Sequence, residues 1–581
     1  MAELIIMPKL GFNMNEGKLL RWYSKEGDEI QKGKPLFSIE TDKTNIDIEA
    51  TRDGFLRKIL LAEGETVPVT LPIAVIGDKD EDIEAILSDA LVALGKGGAS
   101  AETSVKETSA KETSRETPEK QAGQTSNRDF DIIVIGGGPG GYVAAIKAAQ
   151  LGKRVAIVEG DKFGGVCLNR GCIPTKVLLK SASVLNDVKE SKDYGITGIS
   201  GKAGLDMNIV QQRKAKVVSQ LVGGVEGLLK SNGVTIFKGN GKLHDVNTVS
   251  VAGKNITADY VIIATGSSVK AFPVTPDPAM NVVTSDEALE LTEIPENIVI
   301  VGGGVIGVEF ASFFASAGSK VTVVEFLDKV LPMADDDISA QTEKMLVDMG
   351  VTIHTSAKVT AVTKDAVEFE KTGKAEVVNT SMVLVSVGRV PNTEGINCKE
   401  TGIKTEKGAI ITDEHLRTSV DNIFAIGDVN GKVMLAHTAS AEAIAAVENI
   451  CGYSSIMSYD TIPSVVFTSP EIAWAGLTES EAKAKYGKIK VGKFPMLANG
   501  KSKVDGMEDG FMKVIITEEY NEIVGVHMVG IHASDMIAEA VLAMNLEATA
   551  EEVVKAIHPH PTISEVYHEA FSAALGRAIH F

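Results

Sequence analysis

Residues 131–160 read DIIVIGGGPGGYVAAIKAAQLGKRVAIVEG. An apolar β-branched run leads into Gly136-x-Gly138-x-x-Gly141, then an Ala-rich stretch, then a second apolar run ending at Glu159. The order predicts strand, glycine turn, helix and strand, the unit that cradles a dinucleotide. The first glycine permits the tight turn, and the second lets backbone N–H groups approach a pyrophosphate. The third lets the helix pack on the strand, and Glu159 can accept from a ribose hydroxyl. One such unit is weak evidence, but the pattern recurs at 297–326, NIVIVGGGVIGVEFASFFASAGSKVTVVEF, with Gly302, Gly304, Gly307 and a closing Glu325. Two dinucleotide sites are therefore expected. A carboxylate at Glu325 suits the 2′-hydroxyl of NAD and repels the 2′-phosphate of NADP, and EFLDKV at 325–330 offers no arginine.

Outward from these units, 129 onward alternates β-branched runs with Ala-rich stretches, which predicts parallel α/β folding with Rossmann-like domains. Residues 1–78 instead read as short strands broken by turn signals (EGD 26–28, QKGKP 31–35, RDG 52–54, EGE 63–65), an all-β, barrel-like module. Between them, residues 96–128 are almost free of large apolar side chains and contain the near-repeat VKETSAKETSRETPEK. Such a segment cannot bury enough surface to offset the entropy of ordering and is expected to be a flexible linker. Just before it, Ile83, Ile86, Leu87, Leu91 and Leu94 fall at helical spacing, which fits a short docking helix or an amphipathic extension.

The chain has 581 residues, enough for about three to five domains. A net charge of −20 lacks the basic footprint of a nucleic-acid or anionic-membrane partner, and no apolar run approaches the ~20 residues that span a bilayer. The beginning, MAELIIMPKL, has no basic segment followed by a long apolar run, so the expected location is cytoplasmic. Four cysteines are too few for a disulfide-stapled scaffold. Two of them, Cys167 and Cys172, are separated by four residues in GGVCLNRGCIPTK (164–176), beside the first glycine unit. That placement points to a redox dithiol; a metal site would need further Cys or His ligands nearby, so none is expected.

With these motifs in hand, residues 129–581 resemble the flavoprotein disulfide reductases and, among them, the dihydrolipoamide dehydrogenases. The resemblance runs in order through both glycine units, GGVCLNRGCIPTK, ATG (264–266), GRVPNT (388–393), TSVDNIFAIGDV (418–429), LAHTASAE (435–442) and HPHPTISE (558–565). It implies that FAD is held by Gly136, Gly138, Gly141, Glu159, Lys176, Gly241, Thr265, Gly266, Asp428, Ala436 and His437. It implies that NAD is held by Gly302, Gly304, Gly307, Glu325, Val359 and Gly388. Lys176 would pair with Glu309 near the flavin, and Cys167 and Cys172 would form the redox pair. His560 would be the base and Glu565 its orienter, with His560-Pro561 a plausible cis bond. In this family that segment reaches the partner subunit's flavin, which implies a homodimer.

The resemblance further implies an FAD domain at 129–274, an NAD domain at 275–394, a central domain at 395–463 and a dimer-interface domain at 464–581. The N-terminal module resembles a lipoyl domain: Lys43 lies between alternating strands, sixteen residues after Gly27 and eleven before Gly54, and TDKT lacks the methionines of biotinyl domains. Lys43 is the expected site of a covalent lipoyl group, with 1–78 as that domain and 79–128 as short helix and linker. The implied activity is NAD-linked reoxidation of protein-bound dihydrolipoamide in a 2-oxo acid or acetoin dehydrogenase complex, with acyltransferase (E2) and decarboxylase (E1) partners. The alternative is a lipoyl-bearing scaffold with weak disulfide reductase activity. Glutathione-type reductases would need arginines for NADP, and mercuric reductases a C-terminal cysteine pair, whereas here the last cysteine is Cys451. Arg170 between the cysteines departs from the small apolar residue more usual there.

Overall fold

The computed structural model describes residues 3–8, 16–40, 45–50, 52–68, 71–79, 81, 83, 86, 87, 90, 127–199 and 203–581. The chain divides into two compact units, Met1–Glu119 and Lys120–Phe581.

In the first unit, strands β1 (Glu3–Ile6), β2 (Glu16–Trp22), β3 (Glu29–Ile30), β4 (Pro35–Glu40), β5 (Asn45–Glu49), β6 (Gly54–Ile59), β7 (Thr66–Pro68) and β8 (Pro72–Gly77) form two four-stranded sheets. Their orders are β1-β8-β6-β3 and β5-β4-β2-β7, and the paired strands run antiparallel. Leu19, Leu36, Phe37, Ile39, Leu56, Ile73 and Ile76 fill the core with almost no exposure. Glu40 pairs with Asn45, so residues 41–44 join β4 to β5. Lys43 belongs to that junction and lies outside the described residues, as do residues 91–126. Of the residues at helical spacing, Ile83, Ile86 and Leu87 are described and, with Ala90, pack on Leu4, Leu60 and Val75, while Leu91 and Leu94 lie outside the described residues. The amphipathic segment thus extends the first module, covering apolar residues that the strands leave uncovered.

In the second unit, β9 (Phe130–Ile135), β10 (Val155–Glu159), β11 (Thr235–Lys238) and β14 (Lys254–Ile263) are parallel in the order β11-β10-β9-β14. β13 (Thr248–Val251) and β12 (Lys242–Leu243) extend β14 antiparallel. Ile423–Ala425 also pairs parallel with β14, so the chain returns to this sheet after a long excursion. A second, wholly parallel sheet runs Asn281–Thr284, Met382–Val385, Asn297–Val301, Lys320–Val324, Thr352–His354. These strands read as near-continuous Val/Ile runs because both faces are covered, one by helices and the other by the antiparallel strands Ala357–Val362 and Ala366–Lys371. The C-terminal region is an antiparallel five-stranded sheet with helices Ala533–Asn545, Ala550–Lys555 and Glu565–Ala574. The observed layout is an N-terminal β module, two parallel-sheet α/β regions and a C-terminal α+β region. Among the described residues no helix is long and apolar enough to cross a membrane.

Candidate active site

The two glycine turns show why each glycine is needed. A Cβ on Gly136 would lie 2.2 Å from the Ala264 carbonyl oxygen, and one on Gly141 would lie 1.8 Å from that of Gly136. Gly302 and Gly307 repeat this, at 2.4 Å from Ser386 O and 1.9 Å from Gly302 O. Gly136 and Gly302 also adopt φ of +107° and +110°, which L side chains rarely reach. The middle glycines differ: a Cβ on Gly138 would meet only Gly165 Cα at 3.9 Å, and one on Gly304 would meet nothing within 4 Å. The outer glycines are thus fixed by the protein's own packing, whereas the middle ones leave open space. Helices Pro139–Gln150 and Val305–Ala317 start at these positions without a side-chain cap, so their first N–H groups remain for a pyrophosphate.

Each closing carboxylate is already aligned by its own loop. Glu159 Oε2 accepts from Gly137 N at 2.6 Å and Oε1 from Asp161 N at 2.7 Å; Glu325 accepts from Gly303 N at 2.5 Å and Leu327 N at 2.7 Å. Each oxygen keeps a further lone-pair site for a ribose hydroxyl. The donor sets fit two dinucleotides.

The thiols lie on a broken helix. Cys167 sits on Gly165–Arg170, then Gly171 (φ −144°, ψ −111°) interrupts, and Cys172 opens the 19-residue helix Cys172–Glu190. Both cysteines are free. The Cys167 thiol hydrogen-bonds Cys172 and holds it down at about 7; burial opposes this, and the Lys176 charge one turn along assists. Cys167 moves the other way, raised first by that hydrogen bond and then by burial. A thiolate at Cys172 also benefits from the positive end of its helix. Lys176 Nζ donates to both Glu309 oxygens at 2.8 Å and lies 4.4 Å over the Phe467 ring. Glu309, on the helix of the second glycine unit, is buried and also accepts from Phe467 N at 3.0 Å. Arg170 is taken up by Asp161 at 2.9 Å, with Asp286 at 3.6 Å, so the cation one turn from Cys172 is Lys176. Cys398 and Cys451 are packed into apolar clusters, and burial pushes both thiols up.

Asp428 occupies the short turn Gly427–Asn430 and accepts from Ser267 Oγ at 2.5 Å; Arg389 donates to Ser267 Oγ at 2.8 Å. Beneath this turn lies Glu442, fully buried, which accepts from Gly427 N (2.5 Å), Asn430 Nδ2 (3.0 Å) and Tyr459 Oη (2.7 Å). Glu442, Ser267 and Tyr459 are absent from the sequence-based site. No spacing pairs them with Asp428; only the acidic residue in an otherwise Ala-rich run, AHTASAE, hints at Glu442. Thr265 Oγ1 donates to Asn392 O at 2.6 Å, and Gly266 adopts φ +71°. A Cβ on Gly241 would press on Ile135 and Val158, beside β9 and β10. Ala436 begins the helix Ala436–Ile450, again with no side-chain cap. His437 Nε2 bonds Pro463 O at 2.9 Å, and burial pushes its pKa down, favouring neutral imidazole. Val359 lies half-buried on Ala357–Val362, and Gly388 adopts φ +111° in open space.

His560 and Glu565 lie together, with Nδ1 donating to Oε1 at 2.9 Å, so Nε2 is the ring nitrogen that Glu565 does not engage. Burial pushes the Glu565 carboxyl up, but Thr562 N–H and His560 outweigh this and hold it below the usual range. The His560-Pro561 bond is cis. A cavity of about 410 Å³ opens beside the pair, walled by His558, His568, Glu569 and His580 among others. No hydrogen bond among the described residues joins His560 to either thiol. No group of three or more His, Cys, Asp or Glu among the described residues is arranged to hold a metal ion.

Comparison with known proteins follows this anatomy. Residues 130–443 match the pyridine nucleotide-disulphide oxidoreductase family, residues 462–571 its dimerisation domain, and residues 3–76 the biotin/lipoyl domain described under biotin-requiring enzymes. The chain is 44% identical over 475 residues to a dihydrolipoyl dehydrogenase of Bacillus subtilis, covering 78% of this chain and 99% of that one. It is 42% identical to the mitochondrial dihydrolipoyl dehydrogenase of Schizosaccharomyces pombe, covering 79% and 92%. Among solved structures, the HOCl-induced flavoprotein disulfide reductase RclA of Escherichia coli superimposes with a TM-score of 0.68 at 28% identity, covering 76% of this chain and 99% of that one. The chain therefore belongs to the pyridine nucleotide-disulphide oxidoreductase family, shares its greater length with dihydrolipoyl dehydrogenases, and carries a lipoyl-type domain ahead of them.

Proposed function

We propose that the chain oxidises dihydrolipoamide to lipoamide with NAD⁺ as acceptor, working as a homodimer within a 2-oxo acid or acetoin dehydrogenase complex. Its immediate partners there are the acyltransferase and decarboxylase components, and Lys43 carries a lipoyl group of its own. The domain limits follow the motifs: lipoyl barrel 1–78, helix and linker 79–128, Rossmann-like FAD domain 129–274, NAD domain 275–394, central domain 395–463 and interface domain 464–581.

The observation that carries this reading is the polarised thiol pair, with Cys172 held at about 7 at a helix start and Lys176–Glu309 one turn away. In the oxidised enzyme the two cysteines form a disulfide. A substrate thiolate attacks Cys167 Sγ, breaking that bond and releasing Cys172 as thiolate, the species its surroundings favour. The second substrate thiol attacks the mixed disulfide, which expels Cys167 and closes the lipoyl disulfide. His560 Nε2 of the partner subunit takes the substrate proton and returns one to Cys167, while Glu565 holds the imidazole by Nδ1. Bound FAD would accept the electron pair from the dithiol and deliver it as hydride to NAD⁺. Glu325 would orient the NAD ribose, and Asp428 would hold the flavin's ribityl chain.

Replacing Cys167 by Ser tests the scheme. Dihydrolipoamide turnover should vanish while flavin stays bound. Surviving turnover would refute the assignment of Cys167 as the attacked sulfur.

A further inference from the structure

The segment His558-Pro559-His560-Pro561 contains two histidines, and the proposed reaction uses only one. They occupy opposite environments. His560 has 78% of its side chain exposed, whereas His558 has 8% exposed and points inward. His558 Nε2 donates to Glu539 Oε1 at 2.8 Å, and its ring lies parallel to that of Tyr567, with centroids 6.1 Å apart and planes 7° apart. Both contacts are themselves anchored. Glu539 is on the helix Ala533–Asn545, and Tyr567, fully buried on the helix Glu565–Ala574, donates its hydroxyl to Met536 O at 2.6 Å. Two residues beyond His560, Asn499 donates to the Thr562 carbonyl at 3.1 Å. The exposed base therefore sits between two points pinned to other elements, His558 and Thr562, on a turn that is further closed by Thr562 Oγ1 donating to Pro559 O at 2.6 Å.

We propose that His558 is the positioning residue of the catalytic turn: its ion pair with Glu539 and its seat on Tyr567 fix where His560 Nε2 is presented, and it exchanges no proton with substrate. The inference rests on His560 being the base. Glu539 supports it by holding His558 above the usual imidazole range; burial opposes this and the Ala556 carbonyl assists. The other titratable groups around it are Glu565 from the last helix, His560 from its own turn, and Lys555, His568, Glu569 and His580 across the cavity. The Glu539 bond and the facing Tyr567 ring both come from the helices on either side of the turn, so the anchor is local. A general base displaced by about 1 Å loses on the order of tenfold to a hundredfold in rate.

The test uses full-length, flavin-loaded protein with His558→Gln, Glu539→Gln, His560→Gln and the double variant His558→Gln/His560→Gln. Two activities are followed: NAD⁺-linked oxidation of dihydrolipoamide, and NADH oxidation by ferricyanide, which draws electrons without the base. His558→Gln and Glu539→Gln should each lower kcat for dihydrolipoamide by about tenfold with KM nearly unchanged, and leave the ferricyanide rate within about twofold. On the His560→Gln background, His558→Gln should cost nothing more, because there is no base left to position. Equal loss in both assays, or a further loss in the double variant, would overturn the proposal. If His560→Gln collapses turnover and His558→Gln does not, the base stands and this proposal alone falls. If His560→Gln retains turnover, the base assignment itself is wrong and both fall.

Discussion

Glu309→Gln is the change that most directly probes the electrostatics of the dithiol. In the wild-type arrangement Lys176 stabilises a Cys172 thiolate and Glu309 opposes it, while the Cys167 hydrogen bond supplies the largest part of the shift to about 7. Removing the carboxylate charge leaves Lys176 unopposed, so the Cys172 pKa falls. For Lys176, one helical turn or about 6 Å from Cys172, the interaction is about 1.4–2.8 kcal/mol at an effective dielectric of about 20–40, or about one to two pKa units, and Glu309 acts more weakly than Lys176. The lower figure applies, since Lys176 keeps 30% of its side chain in water. A thiol at about 7 is about one-tenth ionised at pH 6, and Glu309→Gln should raise that fraction. Lys176→Met removes the opposite charge and should move Cys172 upward. The assay is thiolate ultraviolet absorbance of the reduced enzyme against pH, each variant being corrected by its own Cys172→Ser partner. Glu309→Gln raising the midpoint, or both variants moving it the same way, would refute the reasoning.

Three further outcomes are expected. Glu442 accepts from three donors, so Glu442→Gln turns an NH₂ toward one of them; leaving that donor unpaired costs about 1–3 kcal/mol and should weaken FAD retention about tenfold or more, read by flavin fluorescence on dilution. Lys513, 3% exposed, donates to Asp335 at 2.7 Å and to Asp337 at 3.0 Å, and Glu479 lies 2.8 Å away; Lys513→Met leaves Asp335 buried without its cation, at a cost of about 3–5 kcal/mol. Burial pushes the Asp335 carboxyl up, but the Glu479 N–H and Lys513 hold it below the usual range. Its stabilisation is therefore present above the ordinary carboxylate pKa and lost as pH falls through the depressed value, and Lys513→Met should unfold at higher pH in an acid titration followed by tryptophan fluorescence. Finally, for the linker expected from the sequence at 96–128, a random coil of about 33 residues would have a root-mean-square span on the order of 30 Å and give effective concentrations up to millimolar. Cutting residues 96–128 to a few should slow NAD⁺ reduction through the attached lipoyl group and spare turnover of free dihydrolipoamide; equal loss of both would sink the idea.

What could be read from the sequence was what is local in the chain. The glycine turns and the thiols, with four residues between them, each lie close in the chain, so spacing carries their geometry, whereas His560 with Glu565 is legible only through the resemblance of HPHPTISE to the disulfide reductases. The β4–β5 pairing likewise follows from the alternation on either side of Lys43. What could not be read is assembled across the chain. Ser267 meets Asp428 from 161 residues away, and Asp335 meets Lys513 from 178. No periodicity records such pairs. The helical spacing at 83–94 was visible, but its partner was not: an amphipathic stripe states that a face is covered and leaves open by what, and here it is Leu4, Leu60 and Val75.

Glu309 shows why such long-range contacts matter to the chemistry. It lies on the helix of the second glycine unit, receives Lys176 from the helix that begins with Cys172, and receives the backbone N–H of Phe467 from the start of the C-terminal region. One buried carboxylate therefore joins the redox helix, the second nucleotide unit and the region that carries His560. Its negative charge raises the cost of a Cys172 thiolate, yet the same charge orients the lysine that lowers it. The arrangement gives up some thiolate stabilisation in return for a fixed Lys176. A midpoint near neutral, rather than a fully ionised thiol, suits a group that must leave as a thiolate in one half of the cycle and re-form a disulfide in the other. Intrinsic nucleophilicity falls as a thiol becomes more acidic, so the best compromise lies close to the working pH.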